Sequence, residues 1–318
     1  MGLIATLALL GIQVVLVVAL APLLTGIVRK TKARLLYRFG PSVFQPYRDL
    51  FRLLRKEVVL AHNASWLFPA TPYFVFAATW VAATLVPTFA FDAGLGPAAD
   101  LIAIVGLLAS ARFALALAGL DVGTSFGGIG SSREMMFATV AEPAMLMLIF
   151  SLALVAGTTR LPDIAFFVQS PAMGLRISLM LAFVGFIMIA VAENGRIPVD
   201  NPSTHLELTM VHEAMVLEYS GRHLALIELA SSVKLLLYVS LISAVFLPWG
   251  IAPAGGDIMR YGGAILLYLA KLFVSAILLG IFEVTVAKMR VFRVPQFVGV
   301  ALMLGLLAVL LRLVSRSM

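Results

Sequence analysis

Carboxylates set beside imidazoles can take up protons and hand them on, and one interval of this chain concentrates both. Between Glu193 and Glu228 stand six of the sixteen acidic residues: Glu193, Asp200, Glu207, Glu213, Glu218 and Glu228. Three of the four histidines, His205, His212 and His223, share the interval. Two readings of the carboxylates stay open on pattern alone. They form a solvated face, or they form a buried string that titrates and conducts protons, with desolvation raising their pKa values and neighbouring arginines lowering them. Thr204 and Glu207 are spaced as a capping box, so Glu207 also reads as a helix cap. His212 and Glu213 lack the second histidine of an HExxH zinc site, and a metal site is not expected.

Further ionisable groups fall inside or at the ends of apolar stretches: Arg112, Glu134, Glu142, Lys234, Lys271 and Glu283, together with Glu193 and Glu228. A charge facing lipid is costly, so such groups face the bundle interior, pair, or line a hydrated path. Arg133 and Glu134 lie near a span end, where snorkelling is the simpler account. Lys271 and Glu283 are too far apart on one helix to pair directly and require partners on other spans.

The elements that position these groups follow from composition. The chain has 318 residues, 62% of them hydrophobic and 12% charged. Residues 1–28, 63–91, 143–159, 235–256 and 294–311 contain no Lys, Arg, Asp, Glu or His. Each run reaches or approaches the roughly 20 residues that cross a bilayer as a helix. Continuous apolar runs do not fit the alternation of a membrane barrel. The expected fold is all-α: one polytopic membrane domain over 1–318. Its spans fall near 3–24, 66–90, 99–119, 135–157, 174–193, 231–250, 262–284 and 296–314. The first reads as a retained span, since its apolar part exceeds a signal-peptide core and the cationic stretch follows it.

Nine of the 23 basic residues lie between Arg29 and Lys56. By the positive-inside rule the 25–60 connection is cytoplasmic, as is the charged 194–230 connection, and both termini face the other side. A surplus of cations here is an orientation signal, and no nucleic-acid partner is expected. From Phe44 to Val58, Tyr47, Leu50, Phe51, Leu54 and Val58 recur at helical spacing, with Arg48, Arg52 and Arg55 on another face. That pattern predicts a cytoplasmic amphipathic helix, serving as a lipid anchor or as a dock for a soluble partner. The Gly-rich 120–131 stretch lacks the Lys-Ser/Thr ending of a P-loop and reads as irregular backbone at a membrane boundary. The chain has no cysteine, so it cannot itself ligate iron–sulfur clusters, and any redox centre belongs to a partner.

Taken in order, RFGPSVFQPYRDLFRLLRKE (38–57), SSREMMFATVAEP (131–143), ENGRIPVDNP (193–202) and EYSG (218–221) resemble the NADH dehydrogenase subunit 1 family of respiratory complex I and its relatives in membrane-bound group 4 nickel–iron hydrogenases. The resemblance covers essentially the whole chain. The Gly-Pro element after Arg38 is contracted. Ser203 and His205 also stand where complex I carries two closely spaced acids at the quinone-cavity end. Both departures favour the hydrogenase branch over a quinone-site subunit. A free-standing ion transporter is a third reading; it would not need the docking helix.

The resemblance implies a non-catalytic membrane anchor and coupling subunit in the inner membrane, linking a soluble arm to proton or sodium translocation. Expected partners are the hydrogenase large and small subunits, iron–sulfur subunits, antiporter-like membrane subunits and lipid. The nickel–iron centre and iron–sulfur clusters would sit in those partners. Carried over by motif, Arg38, Gln45, Asp49 and Lys56, joined by Arg48 and Arg52 of the amphipathic face, dock the arm. Glu134, Glu142, Glu193, Arg196, Asp200, Glu207 and Glu218 line the passage into the membrane. Glu213, Glu228, Lys234, Lys271 and Glu283 complete the candidate path.

Overall fold

The computed structural model describes residues 3–91, 95, 98–169, 177–200, 212–253, 255, 258–290 and 293–317. Eleven helices are found among them: α1 (Leu3–Leu35), α2 (Gln45–Leu54), α3 (Leu67–Leu85), α4 (Leu101–Asp121), α5 (Ser125–Ala156), α6 (Leu161–Gln169), α7 (Ile177–Glu193), α8 (His212–Val216), α9 (Gly221–Phe246), α10 (Ile258–Thr285) and α11 (Val294–Ser317). Seven of these, α1, α3, α4, α5, α9, α10 and α11, are long and apolar enough to cross a membrane, and α7 is a shorter apolar helix. The chain is an all-α polytopic membrane protein. Backbone polar groups have no water to bond with in lipid, and helices satisfy them internally.

The spans form a continuous bundle. α10 packs on α1; α1 packs on α9; α3 lies against both α9 and α4; α4 meets α5; and α5 is wrapped by α7 and α11. Helix ends are fixed by local chemistry. The Asp100 carboxylate accepts from the Ile102 N–H at 2.8 Å and starts α4, and the Thr124 hydroxyl accepts from Gly127 N–H to start α5, both as N-caps. Gly157 takes a left-handed conformation (φ 78°) and closes α5. Tyr37, also left-handed (φ 56°), turns the chain after α1. Arg38 N–H then reaches back to Ala33 O at 2.8 Å, which satisfies an end carbonyl.

Several boundaries differ from the sequence expectation. α1 continues past 24 to Leu35, because Lys and Arg are good helix formers and an exposed last turn welcomes cations. The Gly-rich stretch is helical from Ser125 onward. A Cβ on Gly127 would collide with the Gly119 carbonyl, and one on Gly130 would stand 2.9 Å from Met215 Cγ. Those glycines let α4, α5 and α8 approach closely, as small residues do in membrane bundles. α9 begins at Gly221, ahead of the expected 231, and carries Arg222, His223 and Glu228 in its first turns. α6 lies in what reads as a connection.

Candidate functional site

Four helices each send one charged side chain to a common point. Arg112 comes from the second half of α4, Glu134 from α5, Glu193 from the last turn of α7 and Lys234 from α9. Arg112 Nε lies 3.2 Å from Glu134 Oε1, while its Nη2 pairs with Glu193 Oε2. Lys234 Nζ reaches the same Glu193 oxygen at 3.0 Å. The Arg112 and Glu193 side chains are only 8% and 6% exposed. Arg112 Nη1 has no hydrogen-bond partner among the described residues. The charges therefore alternate in a line, Glu134, Arg112, Glu193, Lys234.

This line borders a cavity of about 70 Å³, whose wall also includes Thr79, Asn194, Asp200, His212 and Ser231. That is polar and roomy enough for several waters, given the 10–15 Å³ that roughly one water needs. His212, on α8, is held below the usual imidazole range. Burial is the main cause; Glu134 and Asp200 oppose it, and Lys234 and Arg112 reinforce it. Neutral His212 presents the cavity with one donor and one acceptor nitrogen.

A second group continues from the cavity wall. Asp200 pairs with Lys288 Nζ at 3.1 Å. Glu283 on α10, with a side chain 1% exposed, takes Lys32 of α1 at 2.6 Å and Arg196 Nη1 at 3.2 Å. Burial lowers the Arg196 pKa and the Glu283 carboxylate works against that shift. Glu283 thus ties α10 to α1 and to the chain leaving α7.

The structure gathers Glu134, Glu193, Lys234 and Asp200 at the cavity, with Arg196 and Glu283 in the adjoining group. Glu142 stands two helical turns beyond Glu134, half-buried and away from the cavity wall. Glu213 and Glu218 lie on and just after α8, half-buried. Glu228 sits on the exposed side of α9, within electrostatic reach of Arg29 and Asp49. Lys271 donates to Leu247 O at 2.5 Å and Trp249 O at 2.6 Å, so it caps carbonyls at the end of α9. Glu207, Ser203, His205 and the Thr204 capping box lie outside the described residues. On the other charged segment, Arg38, Arg48, Arg52 and Lys56 are exposed. Gln45 Nε2 donates to Asp49 at 2.9 Å, and both are half-buried.

Three members of these networks lie outside the path and docking residues expected from sequence. Arg112 has a legible signal, a charge inside an apolar span. Lys32 and Lys288 do not, since they read as orientation charges. Among the described residues no group of three or more His, Cys, Asp or Glu is arranged to hold a metal ion.

A multi-span bundle with ion pairs buried between its helices defines an integral membrane protein built around internal charge. A family model described as NADH dehydrogenase matches residues 7–314, and the chain belongs to the NADH dehydrogenase subunit 1 family. It is 34% identical over 288 residues to formate hydrogenlyase subunit 4 of Escherichia coli K12, covering 90% of this chain and 92% of that one. It is 35% identical over 240 residues to hydrogenase-4 component C of the same organism, covering 75% and 74%. The H-type subunit of NADH-quinone oxidoreductase from Anaplasma phagocytophilum is 26% identical over 270 residues, covering 77% of each. The fold matches a chain of the membrane-bound sulfane sulfur reductase, an archaeal respiratory membrane complex, with a TM-score of 0.79. That match is 18% identical and covers 97% of this chain and 99% of that one.

Proposed function

We propose that this chain is the membrane anchor and coupling subunit of an energy-converting hydrogenase complex in the inner membrane. The observation that carries the reading is the alternating line Glu134–Arg112–Glu193–Lys234 beside a polar cavity. Buried charges persist only when paired, and pairs in a low-dielectric site interact strongly. A proton delivered to Glu193 removes one charge shared by two cations. Arg112 then leans on Glu134, and Lys234 must find another partner. Local charge at one end of the line is thereby converted into rearrangement at the other, which is what linking a soluble redox arm to ion movement requires. Asp200–Lys288 and Glu283–Lys32–Arg196 carry the same logic toward α10 and α1.

The likeness to formate hydrogenlyase subunit 4 and hydrogenase-4 component C supports a hydrogenase setting. In this reading the nickel–iron centre and the iron–sulfur clusters sit in the large, small and iron–sulfur partner subunits, and antiporter-like subunits adjoin the bundle. The arm docks at the charged end carrying Arg38 and Lys56, with the passage residues beneath it.

The test is gentle purification of the tagged chain from native membranes, assayed for nickel, hydrogen evolution and co-eluting subunits. Nickel with a hydrogenase large subunit supports the proposal. A nickel-free complex with bound quinone or quinone-reductase activity overturns it in favour of a quinone-site subunit.

A further inference from the structure

We infer that α2 is an interfacial helix whose outward face, including the Arg48 and Arg52 that the resemblance would place under the soluble arm, seats anionic phospholipid headgroups, and that the arm docks on a different surface. The first observation is its depth. The backbone at Gly26 of α1 abuts Val43 so closely that a Cβ there would collide with the Val43 carbonyl. The Tyr47 hydroxyl donates to the Ala19 carbonyl and also meets the backbone of Leu23, around Pro22, the proline inside α1. Proline leaves a gap in the helix ladder where a side chain can insert. Burial there raises the Tyr47 pKa. Residues up to Val28 of α1 are uncharged, so the level of Ala19 to Gly26 is the edge of the hydrocarbon. At its other end, Val59 N–H donates to Ser220 Oγ at 2.8 Å at the start of α9. α2 therefore bridges α1 and α9 along the membrane edge.

The second observation is what faces outward. Phe51 is 63% exposed and Leu54 51%, and Arg48, Arg52 and Arg55 are exposed beside them. Arg48, Phe51, Arg52 and Arg55 recur at i, i+3, i+4 and i+7, one stripe of a helix. Asp49, the sole acid between Arg29 and Lys56, turns inward to Gln45. An apolar wedge flanked by three guanidinium groups matches acyl chains below and phosphate above. A soluble partner meets a different surface first. α1 continues from Gly26 to Leu35, about 14 Å farther out at 1.5 Å per residue, and there the exposed Tyr37, Arg38 and Phe39 form the tip.

The inference holds whichever complex the chain serves. The test is phospholipid analysis of the purified native complex, with Arg48→Gln, Arg52→Gln and Arg55→Gln combined in one variant. Wild type is expected to retain phosphatidylglycerol over phosphatidylcholine when washed with mixed micelles. The variant should lose that preference, by on the order of fivefold per arginine removed, with the soluble arm still attached. Loss of the arm with unchanged lipid retention overturns the proposal and assigns this face to protein. Unchanged retention of both also overturns it. Should the variant fail to assemble, photoactivatable phosphatidylglycerol applied to wild-type complex decides. Cross-links within residues 44–55 support the proposal, and cross-links absent from that segment sink it.

Discussion

Glu193 holds two cations with one carboxylate, and this sets what its removal does. Glu193→Gln leaves Arg112 with Glu134 alone and strips Lys234 of its partner. Breaking a buried pair from one side costs about 3–5 kcal/mol, so the solubilised complex should melt earlier. Adding Lys234→Gln removes the stranded charge and should recover part of that loss, a non-additivity of roughly 1 kcal/mol or more. Strictly additive effects in that cycle would mean the pair is not energetically coupled. On the proposed coupling role, proton translocation by Glu193→Gln should fall further than hydrogen evolution, since a chain without cysteine cannot itself ligate iron–sulfur clusters. His212 supplies a pH signature. Its folded pKa lies below the unfolded value of about 6.5. Between those two values the unfolded chain binds more protons, so stability is full at higher pH and falls as the pH drops below about 6.5. Thermal melts from about pH 7.5 to pH 5.5 should show this loss in wild type and less of it in His212→Gln. Identical pH slopes would place His212 in water rather than at the cavity wall.

The α4 and α5 backbones approach closely, and glycine decides how closely. Gly127→Ala puts a methyl into the Gly119 carbonyl, a backbone atom that cannot step aside, whereas Gly128 has open space within 4 Å. Gly127→Ala should destabilise by about 1–3 kcal/mol through overpacking. Gly128→Ala should be neutral or stabilising by up to about 1 kcal/mol from helix propensity. Equal melting temperatures for the two variants would refute this account of the α4–α5 contact, which sets the spacing of Arg112 and Glu134. The same glycines mark the limit of sequence legibility. Spans such as α1, α3 and α11 were readable because long uncharged runs leave no other solution in lipid. The helical 125–131 segment was not, since glycine's local penalty argues against a helix and only the facing α4 backbone and Met215 explain it. The start of α9 was hidden by Arg222, His223 and Glu228, charges that a hydropathy window excludes but a helix end near the membrane edge accepts. Carboxylates of the site were legible as costly charges. Lys32 and Lys288 were not, because an orienting lysine and a pairing lysine look alike until α1 and α10 are brought together by Glu283.

At the scale of the molecule the bundle has two unlike ends, and its orientation decides which compartment each serves. One end carries the extended α1, the Tyr37–Phe39 tip, α2 and the start of α9, with nine cations between Arg29 and Lys56. The other carries the α9–α10 turn, where Trp249 is exposed and Lys271 holds the Trp249 carbonyl. Cation-rich segments are retained in the cytoplasm during insertion, so the tip should be cytoplasmic and Trp249 should face the opposite side. The absence of cysteine makes the test direct, because one introduced thiol is the only thiol in the chain. In right-side-out vesicles a membrane-impermeant maleimide should label Trp249→Cys and spare Phe39→Cys, and inverted vesicles should reverse the pattern. Bound soluble arm should also shield Phe39→Cys in inverted vesicles and expose it after the arm is stripped. The opposite labelling would reverse the orientation. It would also place the tip beyond reach of any cytoplasmic arm, and the proposed anchor role would fall with it.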